Sequence, residues 1–168
     1  MKRLFAAALV AVFLAGCAGY RLGDVKPYTL RNVKKIAVKT FTNNTYTPRV
    51  EVLVTNTVIK QFQQDGTFQI TTEDQADAIL DGVVLGIGRG PARAVRGNVL
   101  ASSEFNLGVN VGYTLRTKDG AAVAGPGAIT GGTSFFVGND PQADERQALP
   151  LAVEDLAVRL VSQIAEGW

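Results

Sequence analysis

The chain has 168 residues, with 17 lysines and arginines against 15 aspartates and glutamates, and a formal net charge of +2 at pH 7. Such a balance gives no global attraction for nucleic acid. The sequence contains no histidine and one cysteine, which excludes a Ser-His-Asp triad and any His-ligated metal site. Paired carboxylates or a Ser-Lys pair remain open in principle, but no spacing favours either. We therefore expect no enzyme, no metal and no cofactor.

The first residues carry the features of a secretory signal. Lys2 and Arg3 are basic, and residues 4–14 are all apolar. That stretch is shorter than the ~20 residues that span a bilayer, and it fits the apolar region of a signal peptide. The letters LAGC follow and end at Cys17, the single cysteine of the chain. They resemble a lipobox and predict a lipoprotein signal peptide at residues 1–16 and a lipid anchor on Cys17. The alternative is an ordinary signal peptide with an incidental cysteine.

Lipid attachment would hold the mature chain on a membrane. Each buried CH₂ contributes ~0.8 kcal/mol, so two or three acyl chains such as palmitate anchor a protein where one binds weakly. Ala18 follows the cysteine instead of the aspartate common in lipoproteins of the inner membrane, which favours the outer membrane, with the domain on its periplasmic side. Residues 17–32 contain glycines and Pro27 and are interpreted as a tether. We expect residues 33–168 to form a single domain.

Hydrophobic periodicity predicts the element order β-α-β-β-β-β-α. The first helix should begin with Thr47 as its N-cap and Pro48 in its first turn, and end near residue 64. The last helix should begin near Leu151, unless an earlier helical turn is kinked at Pro150. The five predicted strands are residues 33–41, 67–71, 78–87, 105–116 and 128–137.

The fourth predicted strand has the clearest pattern in the sequence. From residue 105 to residue 116, large apolar residues alternate with mostly small or polar ones, which indicates one buried and one exposed face. Two amphipathic helices can cover one face of such a sheet. We therefore predict an α+β domain with two helices on one face of a four- to five-stranded, mostly antiparallel sheet. The other face is either simply solvated or kept flat for a large partner.

Residues 86–97 contain two candidate binding features. The letters GIGRG at residues 86–90 resemble a phosphate-binding loop, but a strand follows instead of a helix, so a flexible strand end is the better interpretation. Arg89, Arg93 and Arg96 place three guanidinium groups within a short segment. Guanidinium groups bind phosphate bidentately, so we predict a site for an anionic lipid head group. The alternative is a solvated basic loop.

Acidic residues near the C-terminus are interpreted differently. Glu145, Glu154 and Asp155 fall on the polar side of the last predicted helix. We assign them to a solvated helix face and not to a site.

Several segments resemble the LptE family of lipopolysaccharide-assembly lipoproteins. They are CAGYRL from Cys17, KIAV at residues 35–38 followed by FTNNTY at 41–46, DQADAILDGV at 74–83, and the terminal helix from Glu145. Each motif is short, but their order and spacing agree with the family over nearly all of residues 17–168. Pro150 departs from the family's uninterrupted terminal helix.

The resemblance implies a fold of two helices on a four- or five-stranded sheet. It implies a protein that plugs the LptD β-barrel of the outer membrane, assists its assembly and takes part in lipopolysaccharide transport to the outer leaflet, without covalent chemistry. Lipopolysaccharide then becomes the anionic lipid expected at Arg89, Arg93 and Arg96. The expected partners are an LptD-like barrel, lipopolysaccharide and the membrane, and not nucleic acid.

A structural or secretion-complex lipoprotein is the alternative. Ring-forming export subunits also carry a strand with Ile-Ala-Val and a later Phe after a lipobox. Such subunits need additional membrane-inserting hairpins, for which this chain has little room.

Overall fold

The computed structural model describes residues 26–92, 103–138 and 140–167. Within these ranges the chain forms a 3-10 turn, six strands and two helices: Tyr28–Leu30, β1 Lys35–Val38, β2 Thr42–Asn43, α1 Val50–Asp65, β3 Gln69–Ile70, β4 Ala78–Pro91, β5 Ser103–Thr117, β6 Ala122–Val137 and α2 Pro141–Glu166. The strands form one sheet in the spatial order β3-β1-β4-β5-β6, with β2 also paired to β4. The predicted α+β class, with two helices, is confirmed.

The sheet is mixed, where we expected it to be mostly antiparallel. β3 runs parallel to β1, and both β1 and β2 run parallel to β4, whereas β4, β5 and β6 form an antiparallel ribbon. A parallel neighbour needs a crossover connection, which α1 supplies between β1 and β3. Five strands were predicted and six are observed in the described ranges. The additional strand is β2, which was missed because residues 42–45 have the composition of a turn. Asn43 serves both roles, since its backbone pairs with Val84 and its side chain accepts a hydrogen bond from the Thr45 amide.

The hydrophobic core lies between the helices and one face of the sheet. One apolar stripe of α1 is buried, at Val50, Val54, Val58 and Phe62. One apolar stripe of α2 is also buried, at Val153, Leu156, Ala157, Leu160 and Ile164. The alternation in β5 is confirmed by the buried residues Leu107, Val109, Val111, Tyr113 and Leu115. Each such side chain contributes about 1.5–3 kcal/mol when fully buried, so the alternation decides which face of the sheet meets the helices.

Helix α1 begins later than predicted. Its first residue is Val50, which follows Arg49 in a left-handed conformation with φ of 63°, and no side chain caps the helix. Thr47, the predicted N-cap, lies in a preceding turn, where its carbonyl accepts a hydrogen bond from Asn43 Nδ2 over 2.9 Å. The same amide group donates to Glu51 Oε2 over 2.8 Å. The Asn43 side chain thus joins the preceding turn to the first turn of the helix.

Helix α2 begins ten residues before the predicted start and continues through Pro150, as one 26-residue helix over Pro141–Glu166. The Asp140 side chain caps it by accepting hydrogen bonds from two amides of the first turn, over 3.1 and 3.0 Å. Proline at the first helical position has no N–H that would need a partner. Of the two alternatives weighed at Pro150, the helix that starts before it is the one observed.

Helix α2 packs closely against the sheet at Gly131 in β6. A Cβ atom at this glycine would overlap the backbone nitrogen of Leu156. Beside it, the Gly132 amide donates to the carboxylate of Asp155 over 2.9 Å, and Arg159 Nε donates to the same oxygen over 2.8 Å. Burial acts to raise the pKa of the Asp155 carboxyl, but these two hydrogen bonds lower the pKa below its ordinary value. Asp155 of α2 therefore accepts a hydrogen bond from an outward-facing amide of the edge strand β6. An edge amide that already has a partner is less available for pairing with a strand of another chain.

We predict that Gly131→Ala lowers the free energy of unfolding by about 1–3 kcal/mol, because overpacking forces the helix backbone to shift. Urea denaturation followed by circular dichroism measures this. Gly88→Ala in β4 is the matched control, since a Cβ there meets nothing within 4 Å. Equal effects of the two substitutions would contradict the close packing of α2 on β6.

Candidate functional site

Of the predicted site residues, the structure describes Arg89 alone. Cys17, Arg93 and Arg96 lie outside the described residues, as does the signal peptide predicted at residues 1–16. The structure thus locates the first arginine of the predicted cluster on the fold, and the other two remain predictions.

Arg89 lies near the end of β4 and pairs with Leu107 of β5. Directly opposed residues of antiparallel strands point to the same face, and Leu107 is buried beneath the helices. Arg89 therefore belongs to the helix side of the sheet and not to the flat polar face. Its Nη1 donates to Glu145 Oε2 in α2 over 2.9 Å, with the two side chains 54% and 35% exposed.

Two aromatic rings share this end of the sheet and the same face. Phe105 of β5 pairs directly with Phe135 of β6, and their ring centroids are 6.2 Å apart. Phe135 is 9% exposed, and Phe105 is half-buried. Arg89, Phe105, Phe135 and Glu145 lie at the end of the sheet where β4 ends and β5 begins, and we call them the far-end cluster. A cation beside apolar surface suits an anionic amphiphile, because the guanidinium can meet its charge while the rings meet its hydrocarbon.

Sequence reasoning did not assign Phe105, Phe135 or Glu145 to a binding site. Phe105 was placed correctly on the buried face, but nothing in the local pattern shows that Phe135 lies opposite it. Glu145 was assigned to a solvated helix face, because its partner is 56 positions away in the sequence. The one available signal was Asp140 followed by proline, which is typical of a helix start and would have placed Glu145 within the first turns of α2.

The opposite face of the sheet is flat at this end. Glycines of β4 are opposed by small or polar residues of β5, in the pairs Gly86–Asn110, Gly88–Gly108 and Gly90–Asn106. A Cβ atom at any of these three β4 glycines would meet nothing within 4 Å. The segment pairs regularly with β5 up to Pro91, and the five residues GIGRG all lie within β4. This agrees with the strand interpretation of GIGRG and not with a phosphate-binding loop.

The DQADAILDGV segment lies at the other end of the sheet and holds β1 to β4. Asp77 Oδ2 accepts hydrogen bonds from the backbone amides of Lys34 and Lys35, each over 2.9 Å. These two hydrogen bonds lower the pKa of the Asp77 carboxyl. A Cβ at Gly82 would overlap the ring of Phe41. The segment that carries much of the family resemblance is therefore explained by strand joining and packing.

We predict that Asp77→Asn destabilises the domain at neutral pH and has less effect in acid. The pKa of Asp77 is lowered on folding, so its contribution is present above the unfolded pKa of about 3.9 and is lost as pH falls through the folded pKa. The difference in free energy of unfolding between the parent protein and the variant should therefore shrink between pH 7 and pH 3. A difference that stays constant over this range would contradict the role of the Asp77 carboxylate.

The described residues contain neither a metal-binding group of side chains nor a helix that could span a membrane. Over these ranges, no three His, Cys, Asp or Glu side chains are grouped so that they could hold a metal ion. No helix there combines the length and the apolar character needed to cross a bilayer.

Known proteins resemble the chain in sequence family and in fold. The family model described as "LptE: Lipopolysaccharide-assembly" matches residues 33–164. A minor lipoprotein from Acinetobacter baumannii superposes with a TM-score of 0.54 and 16% identity, covering 80% of this chain and 94% of that one. The PelC dodecamer from Paraburkholderia phytofirmans gives a TM-score of 0.52 and 18% identity, covering 85% and 95%. At such identities the structural likeness shows the fold alone. No curated protein sequence matches the chain.

Proposed function

The chain belongs to the LptE family of lipopolysaccharide-assembly proteins, and from this we propose that it is an outer-membrane lipoprotein that plugs an LptD-like β-barrel. In this role it assists assembly of the barrel and takes part in moving lipopolysaccharide to the outer leaflet. The observation that carries the proposal is the family match over residues 33–164, which spans every strand and most of α2. The proposed role contains no covalent step, so we do not assign an enzymatic activity.

The proposed arrangement along the chain follows from the lipobox. Residues 1–16 act as the signal peptide, Cys17 carries the lipid, residues 17–32 are the tether and residues 33–168 are the barrel-bound domain. The domain would then lie on the periplasmic side of the outer membrane, held by its acyl chains and by the barrel.

The surface of the domain supports a place inside a barrel. The lumen of a large outer-membrane barrel is polar, and the sheet face away from the helices is flat at one end and lined by glycine and asparagine. In β5 its exposed residues include Asn106 and Asn110. The same face also carries Glu104 and the exposed ring of Phe136, so it is the stretch of glycine and asparagine that suits contact with a polar lumen wall.

The far-end cluster supports contact with lipopolysaccharide. Arg89 is more than half exposed and shares its face of the sheet with Phe105 and Phe135. We assign the phosphate groups of lipopolysaccharide to Arg89, Arg93 and Arg96, of which the last two lie outside the described residues. Guanidinium groups suit this role because they are always charged and donate in pairs to phosphate oxygens.

We predict that replacing Arg89, Arg93 and Arg96 together with alanine weakens lipopolysaccharide binding at least about tenfold at matched ionic strength, because hydrogen bonds to charged groups contribute about 1.5–3 kcal/mol each. Fluorescence titration measures the affinity, and thermal melting checks that the fold is kept. A control variant removes three cations elsewhere, at Lys60, Arg116 and Lys118. Equal losses in both variants, or no loss in either, would remove this site assignment.

A ring-forming export subunit is the second candidate, and the fold shared with the PelC dodecamer favours it. That likeness extends to the fold alone, whereas the family match concerns lipopolysaccharide assembly. The two candidates differ in what the chain binds, which is a barrel in the first and further copies of itself in the second.

Depletion of the chain in its native host tests the proposed function. We predict that surface lipopolysaccharide falls and that the LptD-like barrel accumulates in a protease-sensitive, unassembled form, because barrel assembly depends on its plug. Normal lipopolysaccharide and a normally assembled barrel, together with failed export of another polymer, would support the second candidate.

A further inference from the structure

The ion pair between Arg89 and Glu145 connects two elements that are otherwise far apart in the sequence. Arg89 is near the end of β4 and Glu145 is in the second turn of α2, and Nη1 lies 2.9 Å from Oε2. The side chains are 54% and 35% exposed, so a ligand in solution can reach both. An ion pair with this much exposure is weak and can be displaced by a more highly charged anion.

The neighbouring carboxylates have structural roles that Glu145 does not share. The Asp140 side chain accepts hydrogen bonds from the backbone amides of Gln142 and Ala143 and thereby caps α2. Asp144 Oδ2 accepts a hydrogen bond from the Gly138 amide over 2.7 Å, which links the first turn of α2 to the residue that follows β6. The helix start is therefore held by these two aspartates, while the carboxylate of Glu145 meets a side chain of another element. Neutralising Glu145 should leave the start of α2 intact.

The carboxylate of Glu145 and a phosphate group make the same chemical demand on Arg89. Both are anions that accept hydrogen bonds from guanidinium N–H groups. A phosphate that approaches Arg89 meets a donor group already in use and a negative charge beside it. We propose that Glu145 is an internal counter-ion that competes with lipopolysaccharide phosphate for Arg89, so that the β4–α2 ion pair and lipid binding each weaken the other. This inference rests on the proposed function, because it concerns the ligand assigned there to Arg89.

A double-mutant cycle tests the competition. Glu145→Gln keeps the shape of the side chain and removes its charge, and it should tighten binding of purified lipopolysaccharide about two- to fivefold, the range expected for an exposed ion pair. Arg89→Ala should weaken binding. In the Arg89→Ala background, Glu145→Gln should change nothing, because the competing group has lost its target.

The matched control is Glu154→Gln, which removes the same charge from an exposed position of the same helix, roughly 13 Å further along its axis. Thermal melting confirms that each variant is folded. The measurements are repeated with enzymatically dephosphorylated lipopolysaccharide and with inorganic phosphate as a competitor. The gain from Glu145→Gln should disappear with the dephosphorylated lipid and be reduced by free phosphate.

The outcomes separate this inference from the proposed function. If Arg89→Ala weakens binding but Glu145→Gln does not strengthen it, the competition is wrong and the arginine site stands. If Glu154→Gln has the same effect as Glu145→Gln, or if the gain persists without Arg89 or without phosphate, the competition is also wrong. If Arg89→Ala leaves lipopolysaccharide binding unchanged, the assignment of the lipid to Arg89 fails, and the inference fails with it.

Discussion

The packing of α2 on β6 is the contact on which the rest of the structure depends. Gly131 has no side chain, so the backbone of Leu156 can lie directly against the strand. The Asp155 carboxylate then reaches the neighbouring Gly132 amide at the open edge of the sheet. With the helix fixed at this point, its stripe of buried residues covers the apolar face of β5, and its first turns reach the end of β4. The contact between Glu145 and Arg89 therefore depends on the close packing of α2 at Gly131.

Helix α2 also separates the two ends of the molecule that matter for the proposed role. At its C-terminal end, Gly167 lies against Pro27, where the described chain begins. Glu145 is near its N-terminal end, roughly 33 Å away along the helix. A lipid-bearing tether would thus enter at one end of the domain, while the arginine assigned to lipopolysaccharide lies at the other. This separation suits a plug that is anchored on one side and meets its lipid on the other.

Local periodicity was enough to predict the helices, the β5 alternation and the α+β class, because each depends on residues close in sequence. The start of α1 could not be predicted from local periodicity. Thr47, the expected N-cap, lies instead in a turn, where its carbonyl accepts a hydrogen bond from the Asn43 side chain. The start of α2 was predictable from Asp140 and the proline that follows it, but the sequence prediction placed the start after Pro150. The ion pair between Arg89 and Glu145 depends on how β4 and α2 pack, and no sequence spacing reveals it. The family-like segment around Asp77 serves to join β1 to β4. The resemblance in this segment therefore concerns the fold and not a binding site.

The most direct test of the barrel-plug role is to purify the tagged protein from detergent-solubilised outer membranes and to measure the mass and composition of the native complex. A barrel plug should be recovered as one copy of the chain bound to one large β-barrel protein. A homo-oligomeric ring, or a chain recovered without any barrel, would contradict the role as a barrel plug and would favour the export-subunit alternative.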